Sequence, residues 1–313
     1  LVFDYLAELT MAILASARSR NPELGYATDF VDVAMKSVLG DVAARGIKVV
    51  SNAGGINPQG CADALTRLAH DMGIALKIAV VEGDDVSDKI PALRESDQRD
   101  MFTGAPLPER ILSANAYLGA LPIAQALAAG ADVVITGRCV DSAVTLGPLI
   151  HEFGWSPTDY DLLAAGSLAG HVIECGAQAT GGLHTDWEQI PDWANIGYPI
   201  IECHADGTFV VTKPAGTGGR VLAAAVAEQV LYEIGDPGAY VLPDVVCDFR
   251  NVRVEFVPNR ISKKASCSPT CVSSRWNPCR TSIFRIPLSR AMLRLKLNSG
   301  VMRMLRSTGL NAA

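Results

Sequence analysis

Apolar residues recur at helical spacing through 5–19 (YLAELTMAILASARS), which predicts a helix stopped by Asn21-Pro22. The preceding Leu1-Val2-Phe3-Asp4 reads as the end of a strand whose beginning lies upstream. A second helix is predicted from about Asp29 to Arg45, with Thr28 or Asp29 as N-cap and Gly46 as stop, and Ile47–Ser51 is the next strand. Helix 58–72 follows, closed by Gly73, and Ile74–Val81 forms a third strand running into Glu82-Gly83-Asp84-Asp85. After a polar stretch of weak periodicity (86–106), a long Ala- and Leu-rich helix is expected from about Pro108 to Ala129, then a strand from Asp132 to Thr136. Strands alternating with helices argue for an α/β fold, a mostly parallel sheet with helices on both faces.

Beyond His151 the rhythm loosens. Residues 159–182 are rich in Gly and Ala, and Pro199–Cys203 and Thr208–Lys213 predict a small β-hairpin about Ala205-Asp206-Gly207. A helix over 217–234 and a strand over 252–256 complete the expected elements.

Three Gly-rich segments, 52–58 (NAGGINP), 136–142 (TGRCVDS) and 213–219 (KPAGTGG), each follow an extended run and precede an apolar one. Open α/β sheets place their ligands in loops of this kind. Gly lets backbone N–H groups approach a ligand closely, and a helix start offers unpaired donors to an anion. The substrate-binding candidates are therefore Asn52, Gly54, Gly55, Asn57, Gly137, Arg138, Ser142, Lys213, Thr217, Gly218 and Gly219, joined by Gln178. They are expected to form one rim around a small, anionic molecule.

Composition sharpens this picture at two places. With 49% apolar residues the 313-residue chain has ample material for a core. No stretch reaches the roughly 18 uninterrupted apolar residues of a membrane span, and neither an initiator Met nor a signal peptide is visible, so the start reads as the interior of a longer protein. The first 260 residues hold all 33 acidic residues and 17 of the 27 basic ones; the last 53 hold 10 basic residues and no acid. Residues 261–313 therefore read as a separate Cys/Ser/Arg-rich tail: a non-native product of a shifted reading frame or mis-chosen exon, disordered, or a basic partner-binding arm with a short amphipathic helix over 291–305. The acidic body argues against nucleic-acid binding, because phosphate neutralisation dominates that affinity. Scattered cysteines in a long chain suggest a reducing, cytoplasmic location. Whether the chain pairs with copies of itself is left open.

For chemistry, His171 and Glu174 would share a helical face with Cys175, and a His beside a carboxylate can serve as general base. Asp141, close to Arg138, completes the catalytic candidates; Arg138 either clamps a substrate anion or braces its own loop against Asp141. Asp4 and Glu8 lie one helical turn apart, as paired carboxylates or as a match to the helix dipole. No metal set is expected, since His-x-x-Glu supplies two ligands and no spacing fixes a third. The Lys213 segment has the composition of a phosphate cradle but not the order of a P-loop, and no Gly-x-Gly-x-x-Gly opens a helix, so the cofactor is unknown.

Six ordered motifs carry a family resemblance: 4–10 (DYLAELT), 52–58, 136–143 (TGRCVDSA), 169–171 with 174–182 (ECGAQATGG), 211–214 with 216–219, and 242–249 (LPDVVCDF). Over residues 1 to about 260 the chain resembles the acyclic terpene utilisation (AtuA-like) family. The resemblance implies a role near acyl-CoA catabolism of branched and terpenoid acids, in a family without an assigned reaction. It also implies a missing N-terminal strand and Gly-rich loop and a divergent region after residue 260. Two functions follow: an enzyme acting on a carboxylate or acyl-CoA thioester, or a non-catalytic subunit of an acyl-CoA metabolic complex.

Overall fold

A computed structural model of the chain describes residues 1–257, 271–275, 292–297 and 301–306. Its contacts divide the described residues into two compact units, 1–151 with 292–297 and 301–306, and 152–257 with 271–275.

The first unit is built on a four-stranded parallel sheet. Its strands are β1 (Val2–Phe3), β2 (Val49–Gly55), β3 (Ile78–Val81) and β4 (Val133–Gly137), in the order β1-β2-β4-β3. Strands β2 and β4 lie in the middle and are buried along their whole length, which is why they read as continuous apolar or small-residue runs with no alternation. The helices are α1 (Glu8–Arg20), α2 (Lys36–Arg45), entered through π-helical turns over 30–35, α3 (Pro58–Asp71), the short α4 (Ile90–Glu95), α5 (Leu121–Ala128) and α6 (Ala143–Phe153). The connection from β2 to β3 and the return from β3 to β4 run in opposite directions across the sheet. A constant right-handed crossover therefore puts α3 and α5 on opposite faces.

The main core joins Phe30, Met35 and Leu39 before and in α2, Cys61, Leu65 and Ala69 along one stripe of α3, and Val49, Val133 and Ile135 of the sheet. A fully buried Leu such as Leu65 contributes about 2 kcal/mol of transfer free energy. Asn57 caps α3, its Oδ1 accepting from Gly60 N at 3.0 Å, and Pro58 follows at the first turn, where its missing N–H costs nothing.

Three sequence expectations are corrected here. The helix expected over 108–129 forms only as α5, because Asn115–Leu118 gives its backbone to other segments. Ala116 N donates to Asp84 O (2.6 Å), Leu118 N to Arg138 O (3.1 Å), and Val140 N to Leu118 O (3.0 Å). Residues 52–55 are not a loop but the end of β2, with an irregular register between Ser51 and Gly55. There a Cβ on Gly54 would run into the Thr136 carbonyl and Pro58, so the glycine serves close packing of strand and helix. The third correction falls in the tail. Residues 292–297 (β11) and 301–306 (β12) pair as an antiparallel hairpin, Leu293 opposite Leu305, and not as a helix; the alternation in LRLKL (293–297) suits a two-residue period. Apart from residues 271–275, the rest of the expected tail lies outside the described residues.

The second unit carries α7 (Tyr160–Ile173), a 3₁₀ turn over 176–180, the hairpin β5 (Ile200–Cys203) and β6 (Phe209–Thr212), and α8 (Ala223–Leu231). Short strands β7 (Tyr240–Val241) and β8 (Val246–Cys247) pair with each other, and β9 (Arg253–Val257) and β10 (Cys271–Arg275) extend the hairpin sheet in the order β5-β6-β10-β9. The expected hairpin forms at Asp206-Gly207, where Gly207 takes the left-handed conformation (φ 82°) and Asp206 accepts from Thr208 N and Oγ1. Helix α8 starts later than residue 217 because Gly218 N and Gly219 N donate to Asn195 O (2.6 Å) and Pro191 O (2.8 Å) instead of entering a helix.

Candidate functional site

In the first unit, polar residues gather at the carboxyl ends of all four parallel strands. Asp4 follows β1, Asn52 lies in the last half of β2, Asp84 follows β3, and Arg138 and Asp141 follow β4. Arg138 is the centre of the group and is 2% exposed. Its Nη1 donates to Leu6 O (2.8 Å) and Asp141 Oδ1 (2.8 Å), and its Nη2 to the Tyr117 hydroxyl (2.9 Å). The guanidinium carbon also sits 4.1 Å from the centroid of the Tyr117 ring, a cation–π contact. Burial opposes the charge on Arg138, but Asp141, Tyr117 and Asp4 outweigh it and keep the group charged.

Asp84 fixes the Arg138 backbone from below. Its Oδ2 accepts from Arg138 N (2.8 Å) and from Asn115 Nδ2 (2.9 Å). The carboxylate occupies the space a Cβ on residue 137 would need, which accounts for Gly137. Burial pushes the Asp84 carboxyl up from its ordinary range, and those two donors oppose the rise.

Asp4 is held differently. Its Oδ1 accepts from Asn52 Nδ2 (2.5 Å) and from Leu6 N (3.1 Å), while Asn52 Oδ1 accepts from Tyr5 N (2.7 Å). Partial burial, followed by the negative charge of Asp141, pushes the Asp4 carboxyl up from 3.8 to about 6, against the opposing pull of Asn52, Arg138 and the Leu6 N–H. A carboxyl of this kind exchanges its proton close to neutral pH. Around it the side chains of Asp141 and Glu8 are 28% and 36% exposed, whereas that of Arg138 is 3% exposed. The reachable rim of the cluster is therefore carboxylate, with the cation beneath it. Cys139, in the same loop, is no nucleophile: burial raises its thiol to about 12.

In the second unit His171 and Glu174 do come together. Nδ1 lies 2.7 Å from Oε1, and the side chains are 2% and 5% exposed. Burial opposes the imidazolium, yet Glu174 and the backbone of Gln229 and Val230 hold the His171 pKa above its ordinary value. Gln229 Nε2 donates to His171 O (2.8 Å), tying α7 to α8, and the Tyr240 ring packs 6.2 Å away. A raised His pKa stabilises the fold fully below the unfolded value of 6.5, and that contribution is lost as pH rises through the folded value. The melting temperature should therefore fall as the pH rises above 6.5. In His171→Gln this part of the fall should be absent, which a pH series of thermal melts checks.

The remaining candidates of this unit mostly serve their own loop. Lys213 Nζ donates to Thr217 O (2.8 Å) and Oγ1 (3.0 Å), and Thr217 Oγ1 donates to Pro214 O (2.7 Å). The N–H groups of Gly218 and Gly219 are engaged as described above, and Gln178 lies beside Tyr232. One pair was not anticipated from the sequence: His184 Nδ1 lies 2.9 Å from Glu228 Oε2, and Glu228 also accepts from Thr185 N. No spacing in the chain marks it, since the partners are 44 residues apart.

The profile described as acyclic terpene utilisation family protein AtuA matches residues 1–264. The chain belongs to this family. Neither the curated proteins nor the solved structures contain a match to it. The matched segment spans both polar centres, so the chain carries the Asp4–Arg138 cluster and the His171–Glu174 pair within its family region. No helix among the described residues is long and apolar enough to cross a membrane.

Within the AtuA cluster the structure brings together Asn52, Arg138 and Asp141 of the expected set. Gly54 and Gly137 shape the backbone around them, and Gly55 takes a left-handed conformation (φ 55°). Ser142 is buried and its carbonyl accepts the first bonds of α6, from Thr145 N and Leu146 N. Asn57 is turned to structure, its Nδ2 donating to Leu24 O (3.0 Å) and Glu23 O (3.2 Å). Tyr117, Asp84 and Asn115 were missed. Asp84 had a readable signal, an acidic turn at the end of a predicted strand; Tyr117 and Asn115 were hidden inside a segment whose Ala and Leu content imitates a helix.

Proposed function

We propose that this AtuA-family chain is a cytoplasmic enzyme that moves a proton on a small acyl compound of branched or terpenoid acid catabolism, with Asp4 as its acid–base group. The carrying observation is the Asp4 carboxyl, held by Asn52 and Leu6 N–H and poised at about 6, at the carboxyl ends of a parallel sheet. Asp141 tunes it, and Arg138 holds Asp141 in place. The free thiols at Cys61, Cys139, Cys175, Cys203 and Cys247 fit a reducing compartment.

Between the two substrate classes, the carboxylate-rich rim favours a thioester carbonyl over a free carboxylate at the reacting end, with the phosphates of CoA held away from the rim. A thioester carbonyl is uncharged, whereas a substrate carboxylate would meet Asp141 and Glu8 with Arg138 already engaged by three partners. In the proposed step ionised Asp4 takes the proton on the carbon next to the thioester carbonyl, leaving an enolate and a neutral carboxyl. The same carboxyl returns a proton to that carbon.

Incubating the full chain with branched acyl-CoA thioesters in D₂O and following the α-proton signal by NMR tests this. Deuterium uptake above the uncatalysed rate, together with a thermal shift by the same thioesters, is the expected result. Exchange at the uncatalysed rate with no thermal shift overturns the reading and favours a non-catalytic subunit.

A further inference from the structure

Tyr117 sits where no sequence pattern would place a functional side chain, yet it touches Arg138, a charge beside Asp4, and Glu8. Its hydroxyl accepts from Arg138 Nη2 and donates to Glu8 Oε1, each at 2.9 Å. Its ring lies under the guanidinium at 4.1 Å. The residue is 7% exposed, so it acts through its neighbours. The backbone on either side is stitched in place: Ala116 N to Asp84 O beyond β3, and Leu118 to Arg138 and Val140 beyond β4. The phenol is therefore fixed by two strand ends at once.

We propose that Tyr117 is a positioning residue. Its hydroxyl, shared between Arg138 and Glu8, keeps the guanidinium turned toward Asp141 and Asp4 and keeps Glu8 at arm's length. Glu8 Oε1 lies 3.9 Å from Arg138 Nη2, too far for a hydrogen bond, with the Tyr117 hydroxyl bonded to both. Without that oxygen the cation and Glu8 close on each other directly. Positive charge then moves away from the Nη1 side, where Leu6, Asp141 and Asp4 are grouped. The charged and polar groups facing Asp4 in this unit are Asp141, Arg138 and Asn52, and Tyr117 acts on the second of these. The role rests on the acid–base reading of Asp4, but its test does not.

The test is the titration of the Asp4 carboxyl, followed by ¹³C NMR of the full chain labelled at Asp, with the Asp4 signal assigned by its loss in Asp4→Asn. Tyr117→Phe keeps the ring and its stacking and removes the oxygen. It should raise the Asp4 midpoint by about 0.5 pH unit, because the favourable cation withdraws. Asp141→Asn should lower the midpoint and serves as the control that the signal responds to charge. In the exchange assay Tyr117→Phe should reduce kcat about tenfold with KM unchanged. An Asp4 midpoint that does not move in Tyr117→Phe, while Asp141→Asn moves it, overturns the proposal, even if the variant is less stable. If Tyr117→Phe does not fold, the unmutated protein decides: a Tyr117 hydroxyl proton held to Glu8 gives a signal separate from solvent, and its absence overturns the proposal. A shifted midpoint in a chain that catalyses no exchange leaves Tyr117 as a positioning residue and removes the enzyme reading.

Discussion

Arg138→Leu should lower the unfolding free energy by about 3–5 kcal/mol, measured by urea denaturation of the full chain. Three groups would lose their donor together: the Leu6 carbonyl, the Asp141 carboxylate and the Tyr117 hydroxyl. Replacing a buried ion pair by apolar residues can be neutral, but here only one partner is removed, and Asp141 is left half-buried without its cation. Lys at the same position restores the charge and not the fork. One ammonium cannot reach the acceptors at both the Nη1 and the Nη2 end of the fork, so Arg138→Lys should recover less than half of the loss. A loss below about 1 kcal/mol for the Leu variant would mean that the cluster does not depend on this side chain.

Asp4→Asn should have opposite effects on stability and on turnover. The folded carboxyl titrates at about 6 against 3.8 when unfolded, so folding favours its neutral form. Stability from this group is intact below pH 4 and is lost as pH rises through 6, where the folded state must ionise an enclosed acid. The isosteric amide avoids that cost and still offers Oδ1 to Asn52 and Leu6 N. At pH 8 the variant should be the more stable by about 1 kcal/mol, a figure reduced for the partial exposure of the site, and at pH 4 the two should be equal. Deuterium exchange should fall at least about 100-fold, because an amide neither takes nor gives the proton. Equal stability at both pH values would place the Asp4 midpoint at its ordinary value and remove the basis for its role. A gain in stability with loss of turnover is the usual mark of a group strained for function.

Much of the first unit was legible because its elements follow local rules. Residues 8–20, 58–71 and 133–137 carry helical stripes or buried β-branched runs bounded by Pro and Gly, and each formed within a few residues of its expected span. Two of the failures share one cause. Residues 108–119 have helical composition, but their amides bond to Asp84 and Arg138, so sheet ends distant in sequence outbid the local helix. Helix α8 was overestimated for the same reason, since Gly218 and Gly219 donate to carbonyls more than 20 residues earlier.

Chemistry divides along a similar line. From the sequence alone came the AtuA family, the α/β class and the polar loops at strand ends, with Asn52, Arg138 and Asp141 among the site candidates. These are properties of order and local pattern, which a linear chain displays directly. The tertiary structure decided which carboxylate is raised to about 6. Asp4 read either as one of two paired acid–base carboxylates or as a match to the helix dipole, and folding set it beside Asn52 and Asp141; a pKa depends on burial and on charges that are close in space and not in sequence. It also paired Arg138 with Asp141, the loop brace that the sequence offered beside an anion clamp, and brought Tyr117, 109 residues from Glu8, into contact with Glu8. Those pairings arise only when strands β1, β2, β3 and β4 lie side by side and aim their carboxyl ends at one place.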